Sequence, residues 1–143
     1  MKILCDLLAV ACLVLLSLPL SAQAPETYKG RLAPVPVDAQ LAPNTAGHGN
    51  ASVALTGAKL TVSGTFEGLR GPATAAQLRR GLATGVRGPV LYELTVTKAS
   101  SGTISGSLDL TPEQIDGLRK GRLYIQIDSE KAPDGNLWGW LLK

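Results

Sequence analysis

From residue 50 onward, apolar and polar residues alternate with a period of two, which is the mark of strands with one face turned to a core. Ala51, Val53 and Leu55 share one face, with Ser52, Ala54 and Thr56 on the other. After the tight connection Thr56-Gly57-Ala58-Lys59, the alternation resumes through Leu60, Val62 and Phe66, so the two runs predict a hairpin. Ala73 to Arg80 reads as a short strand, with Leu78 on one face and Gln77 and Arg79 on the other, and Gly81 to Pro89 as a loop. Val90, Tyr92, Leu94 and Val96 form a further apolar row, as do Ile104, Gly106, Leu108 and Leu110 beyond the Ser100-Ser101-Gly102 turn. The last pair spans Arg122 to Leu142. Leu123, Ile125 and Ile127 alternate with Tyr124, Gln126 and Asp128, and Ala132-Pro133-Asp134-Gly135 makes the turn.

One helix interrupts the strands. Thr111 is suited to the N-cap, Pro112 to the first helical position and Gln114 to a capping box, while Gly121 ends the segment. Ahead of the alternation, residues 25–44 are rich in Pro and Ala. Tyr28 to Leu32 is a candidate edge strand, and Pro34, Pro36 and Pro43 argue that this segment runs along the surface; Gly47-His48-Gly49 reads as a turn. Many short strands with one late helix predict an antiparallel Greek-key β-sandwich or a barrel.

Composition changes this picture mainly at the N-terminus. Lys2, an apolar run from Leu7 to Leu20 and the small residues Ser21, Ala22 and Ala24 read as a secretory signal over residues 1–24, leaving a single domain at 25–143. Cleavage after Ala22 and after Ala24 both remain open, because Pro25 is awkward just beyond the second position. The expected location is therefore exported, periplasmic or secreted, with no membrane span after cleavage. Both cysteines, Cys5 and Cys12, lie in that segment, so the exported domain has no disulfide or thiol chemistry. About 120 residues suffice for one domain held by core packing. A net charge of +3 over 143 residues falls short of a nucleic-acid-binding signature, and aromatic stacking residues are scarce, so no nucleic acid is expected.

The residues suited to chemistry are few. His48 is the only histidine, and one histidine without cysteine builds no transition-metal site. Asp128, Glu130 and Asp134 cluster near the final turn but match no calcium loop. Glu67 and Glu93 alternate with apolar neighbours as outward strand residues do. No catalytic residues, no cofactor and no metal are expected. Arg70, Arg79, Arg80 and Arg87 fall in a segment with no acid from Gly68 to Tyr92, a basic loop suited to polyanions or to ordinary solvation. Asn50-Ala51-Ser52 is a glycosylation sequon.

A set of short motifs runs in order along the chain: Gly49-Asn50-Ala51-Ser52-Val53, Phe66-Glu67-Gly68-Leu69 followed by Ala73-Thr74-Ala75-Ala76, and Gly88-Pro89-Val90. The set continues through the Leu110-Thr111-Pro112-Glu113-Gln114 helix start, Leu123-Tyr124-Ile125, Pro133-Asp134-Gly135 and Gly139. In these motifs the chain resembles the CHRD (chordin) domain family. The resemblance implies an extracytoplasmic β-sandwich, immunoglobulin-like or similar in outline to copper-zinc superoxide dismutase, with no catalytic activity to carry over. Many members have a His-x-His pair where this chain has Gln77-Leu78-Arg79, and a further histidine where it has Asp128. These former ligand positions suggest that Arg79 pairs with Asp128 in place of a metal. The family pattern also turns Leu137 and Leu141 inward, so that Trp138 and Trp140 form a flat outward surface unless the Pro-rich segment or the helix covers them.

The reading that follows is an exported, non-catalytic binding or structural module. Its expected partner is a protein or a polysaccharide of the cell envelope or extracellular space, bound through Trp138, Trp140, Arg79, Arg80 and Arg87. The alternatives are a metal-handling domain that has lost its histidines and a dismutase-like enzyme.

Overall fold

The computed structural model describes residues 24–143; the segment expected to be a signal, with Cys5 and Cys12, lies outside the described residues apart from Ala24. Eight strands follow one another as β1 (Glu26–Pro34), β2 (His48–Thr56), β3 (Lys59–Glu67), β4 (Ala73–Arg80), β5 (Val90–Val96), β6 (Gly102–Asp109), β7 (Leu123–Ser129) and β8 (Leu137–Trp140). The helix α1 (Pro112–Arg119) lies between β6 and β7. All pairings are antiparallel, and the spatial order β1-β2-β3-β6-β5-β4-β7-β8 closes on itself through β8 and β1. The expected open sandwich is thus corrected to a closed eight-stranded barrel.

The barrel divides into two walls that share β1 and β5. One wall is β1-β2-β3-β6-β5 and the other β5-β4-β7-β8-β1. Both seams are short. At β5, only Thr95 with Ser105 and Val96 with Ile104 reach β6. At β1, Ala33 faces Trp138 and Pro34 faces Leu137, and an isolated bridge joins Lys29 to Leu142 through bonds of 2.8 and 3.0 Å. Between these two contacts the backbones approach through glycine. A Cβ on Gly30 would lie 2.9 Å from the Trp140 carbonyl, and one on Gly139 would lie 2.9 Å from the Leu32 side chain. Only a residue without a side chain fits either place.

This seam overturns the surface-strand reading of residues 28–32. β1 is a full member of the barrel, with Tyr28 and Leu32 in the core. Pro34 ends it, where one missing N–H does no harm to the ladder, and Pro36 and Pro43 lie beyond it. His48 and Gly49 likewise begin β2 rather than forming a turn, and the reversal falls at Gly47 with φ of 122°.

The interior is filled by side chains, as eight strands require. Leu32, Leu60, Leu78, Ile104, Leu118, Leu123, Ile125, Ile127, Leu137 and Leu141 are all essentially inaccessible. The β5 row is looser than its pattern predicts. Leu94 is buried, Tyr92 and Val96 are half-buried and Val90 is exposed, because a register shift at Leu78/Arg79 interrupts the β4–β5 ladder.

The helix begins as its sequence predicts. Thr111 accepts from the Gln114 amide at 3.2 Å, and the Gln114 side chain accepts from the Thr111 amide at 3.0 Å. Leu118 points into the core, and Gly121, with φ of 71°, turns the chain into β7. At its C-terminal end Arg119 grips Glu26 at 2.8 and 3.2 Å, tying the helix to the start of β1.

That clasp makes a prediction. The Arg119 guanidinium, and after it the Tyr28 hydroxyl, hold the Glu26 carboxyl down from an ordinary 4.5 to about 2. A carboxylate lowered on folding stabilises the fold above its ordinary pKa, and the contribution is lost as pH falls from 4.5 towards about 2. Urea midpoints measured across this window should therefore fall less steeply for Glu26→Gln than for the unaltered protein; identical slopes would contradict the clasp.

Candidate functional site

β7 is buried on both faces, which its alternation did not predict. Leu123, Ile125 and Ile127 face the barrel interior, while Tyr124, Gln126 and Asp128 face outward yet are 0, 2 and 7% exposed. They are covered by the 81–89 loop, by the turn before β8 and by the side chains of β8.

The register explains how this patch assembles. Gln77 lies opposite Gln126, and Arg79 opposite Tyr124, across the β4–β7 ladder. Tyr124 lies opposite Trp140, and Gln126 opposite Trp138, across the β7–β8 ladder. Gln77, Arg79 and Asp128, the positions where the resemblance implies ligands, therefore do converge. Gln77 Nε2 donates to Asp128 Oδ2 at 3.0 Å, and Gln126 Nε2 donates to Asp128 Oδ1 at 2.8 Å. Arg79 Nε donates to Gln77 Oε1 at 3.0 Å, and its Nη1 to the Gly88 carbonyl at 3.1 Å. The proposed direct Arg79–Asp128 ion pair is corrected: Gln77 stands between the two, accepting from one and donating to the other.

This donor set does not fit a transition metal. Both oxygens of its one carboxylate already accept from amides, and the neighbouring guanidinium repels a cation. Among the described residues no three of His, Cys, Asp and Glu gather closely enough to hold a metal. Instead, the network ties down two loops. The Tyr124 hydroxyl contacts both the amide and the carbonyl of Gly88, and Gln126 Nε2 and Arg87 Nη2 both reach the Asp134 carbonyl, at 3.4 and 3.2 Å. The turn itself is pinned by Asn136, which accepts from Ser129 at 2.7 Å and donates to the Ala46 carbonyl at 2.8 Å.

Trp138 and Trp140 face outward and are half-buried, with Leu137, Gly139 and Leu141 turned in. They do not form a flat surface. Their rings stand at 75° with centroids 5.5 Å apart, and both pack on Tyr124, at 5.9 and 4.3 Å. The ring edge of Trp140 abuts Gly81, where a Cβ would come within 2.8 Å. Trp140 Nε1 and Gln126 Oε1 are buried without a protein partner. The loop that starts at Gly81 exposes Leu82 (84%) and Val86 (45%) next to this cluster.

The basic residues separate. Arg79 is half-buried in the network, Arg80 lies across the helix with its guanidinium 3.6 Å from Glu113, and Arg87 is exposed on the rim. His48 is exposed and meets Glu67 at 2.8 Å across the β2–β3 ladder; Glu93 is exposed on β5 and Asn50 on β2. Tyr124 and Gln126 were missed as site residues. The signal was present, because their parity on β7 matches that of the two tryptophans on the strand paired with it.

The family model of the CHRD domain matches residues 33–141. The chain belongs to the CHRD domain family. Comparisons with curated proteins and with solved structures each give no match. CHRD domains occur in extracellular and periplasmic proteins, and no described helix is long and apolar enough to cross a membrane. The matched span of this CHRD domain covers β2 to β8 together with Ala33 and Pro34, the β1 residues that reach β8.

A relay through Gln77 predicts unequal couplings. Asp128→Ala orphans two buried amide donors and should cost on the order of 2 kcal/mol. In double-mutant cycles, Gln77→Ala with Asp128→Ala should couple more strongly than Arg79→Ala with Asp128→Ala. The reverse order would restore the direct ion pair.

Proposed function

We propose that this CHRD domain is an exported, non-catalytic binding module that engages a protein through the rim formed by Trp138, Trp140, the 81–89 loop and Arg87. The observation that carries this reading is the fixed aromatic cluster on the outside of β7 and β8, with Tyr124 held beneath both tryptophans. Aromatic rings and arginine dominate the energetics of protein interfaces, because they bring large contact area with little rotamer entropy to lose. Here the rings are held by packing, and the loop beside them carries Leu82 and Val86 into solvent. Arg87 offers its remaining donors at the same rim, with the Asp134 carbonyl anchoring one nitrogen.

A protein suits this surface better than a sugar ring does. Stacking on a sugar wants a flat ring face, and two indoles at 75° give none. The polar residues beneath serve to position the loops: the carboxylate of Asp128 is engaged by two amides, which supports a structural rather than a catalytic use. Behind β4 and β7 the packed barrel interior gives the rim a rigid base.

Immobilised protein, exposed to the exported and envelope proteins of its source, should retain a partner that Trp138→Ala/Arg87→Ala loses by about tenfold or more. Both residues lie on the surface side of their elements, so the variant is checked for an unchanged fold by far-ultraviolet circular dichroism. Equal retention by the folded variant would overturn this rim as the binding surface.

A further inference from the structure

The other wall of the barrel carries a groove that the rim does not use. Its shape follows from what faces inward. Gly30, Ala51, Gly64 and Ile104 stand opposite one another across β1, β2, β3 and β6. With three small residues in that row, the wall sinks towards the interior: a Cβ on Gly64 would lie 2.6 Å from the Asn50 carbonyl and 2.9 Å from Ile104. The outer surface above this row is an open groove of about 900 Å³.

The residues lining the groove form two cross-strand rows. Lys29, Ser52, Ser63 and Ser105 make one, and Arg31, Asn50, Thr65 and Thr103 make the other. Neighbours within a row lie about 4.8 Å apart, and the rows about 6.8 Å apart along the strands. Each row thus opens on a cation at β1 and continues as hydroxyl or amide groups across three strands. No acid and no aromatic residue lines the groove. Neither Lys29 nor Arg31 has an acidic partner among the described residues.

We propose that this groove binds an acidic polysaccharide, a polymer bearing uronate carboxylates. Its length across four strands and its openness suit an extended chain rather than an enclosed small molecule. The grid of Ser, Thr and Asn groups can both donate to and accept from sugar hydroxyls, whereas a surface selecting only for charge would need neither. The lack of aromatic rings removes the stacking by which neutral sugars are held, so the affinity must come from carboxylates against Lys29 and Arg31. This inference concerns a separate surface and does not rest on the protein partner of the Trp138 rim.

The test is an amide-resonance titration of the protein with uronate oligosaccharides, with dextran as the neutral polymer and polyphosphate and anionic phospholipid vesicles as the other polyanions. Uronate should shift resonances on β2, β3 and β6, with dextran silent at the same concentration. Lys29→Ala/Arg31→Ala should weaken binding by about tenfold or more, as loss of two charge-assisted contacts requires. Ser63→Val, which keeps a strand-compatible side chain and removes a hydroxyl, should weaken uronate binding and leave any polyphosphate binding unchanged. Absence of shifts, shifts confined to the Trp138 wall, or equal binding of polyphosphate or vesicles with no effect of Ser63→Val would each overturn the proposal.

Discussion

The structure depends on a close approach of two backbones. Gly30 on β1 and Gly139 on β8 meet where neither can carry a Cβ, and the bonds at Lys29–Leu142 and the pairing at Ala33–Trp138 flank that contact. Without it the two walls would be a sandwich with β1 as a free edge, which is a liability in a domain with no disulfide among its described residues. Closure removes the edge. It also sets the geometry of both outer faces: on one side it draws β8 against β7 so that the tryptophans cover Tyr124, and on the other it draws β1 inward beside Ala51 and Gly64.

The two faces that result are different in chemistry. The β4-β7-β8 wall presents a polar network locked beneath loops, edged by aromatic rings and Arg87. The β1-β2-β3-β6 wall presents open rows of hydroxyls with cations along one border. The polymer and the protein proposed as partners would occupy different walls of the barrel. The buried amide, hydroxyl and guanidinium groups beneath the β4-β7-β8 face fix the positions of its loops.

Much of this was legible in the sequence, and the failures have identifiable causes. The β2–β3 hairpin, the Thr111 cap, the β7–β8 turn and the outward parity of Gln77 and Arg79 all follow from local pattern and were found from it. Barrel closure was missed because proline weighed too heavily: Pro34 sits at the last position of β1, where it is harmless, and the clue to pairing was Gly30, which local pattern cannot match to Gly139. The convergence of Gln77, Arg79 and Asp128 was visible through the family resemblance, yet the insertion of Gln77 between Arg79 and Asp128 depends on side-chain reach. The flat tryptophan surface failed for a similar reason. Two residues on one strand face share a direction but not a ring plane, and Tyr124 below them sets the 75° between the rings.

Amide hydrogen exchange at the β1–β8 seam tests closure most directly. The Lys29 amide donates to the Leu142 carbonyl at 2.8 Å, and the Leu142 amide donates back at 3.0 Å, on the side of β1 away from β2. In a closed barrel these two amides should exchange only with the opening of the barrel, with protection close to that of Ile125 and Ile127 in the buried strand β7. Exchange of Lys29 and Leu142 at the rate of a frayed edge, while β7 stays protected, would contradict closure and return the fold to an open sandwich.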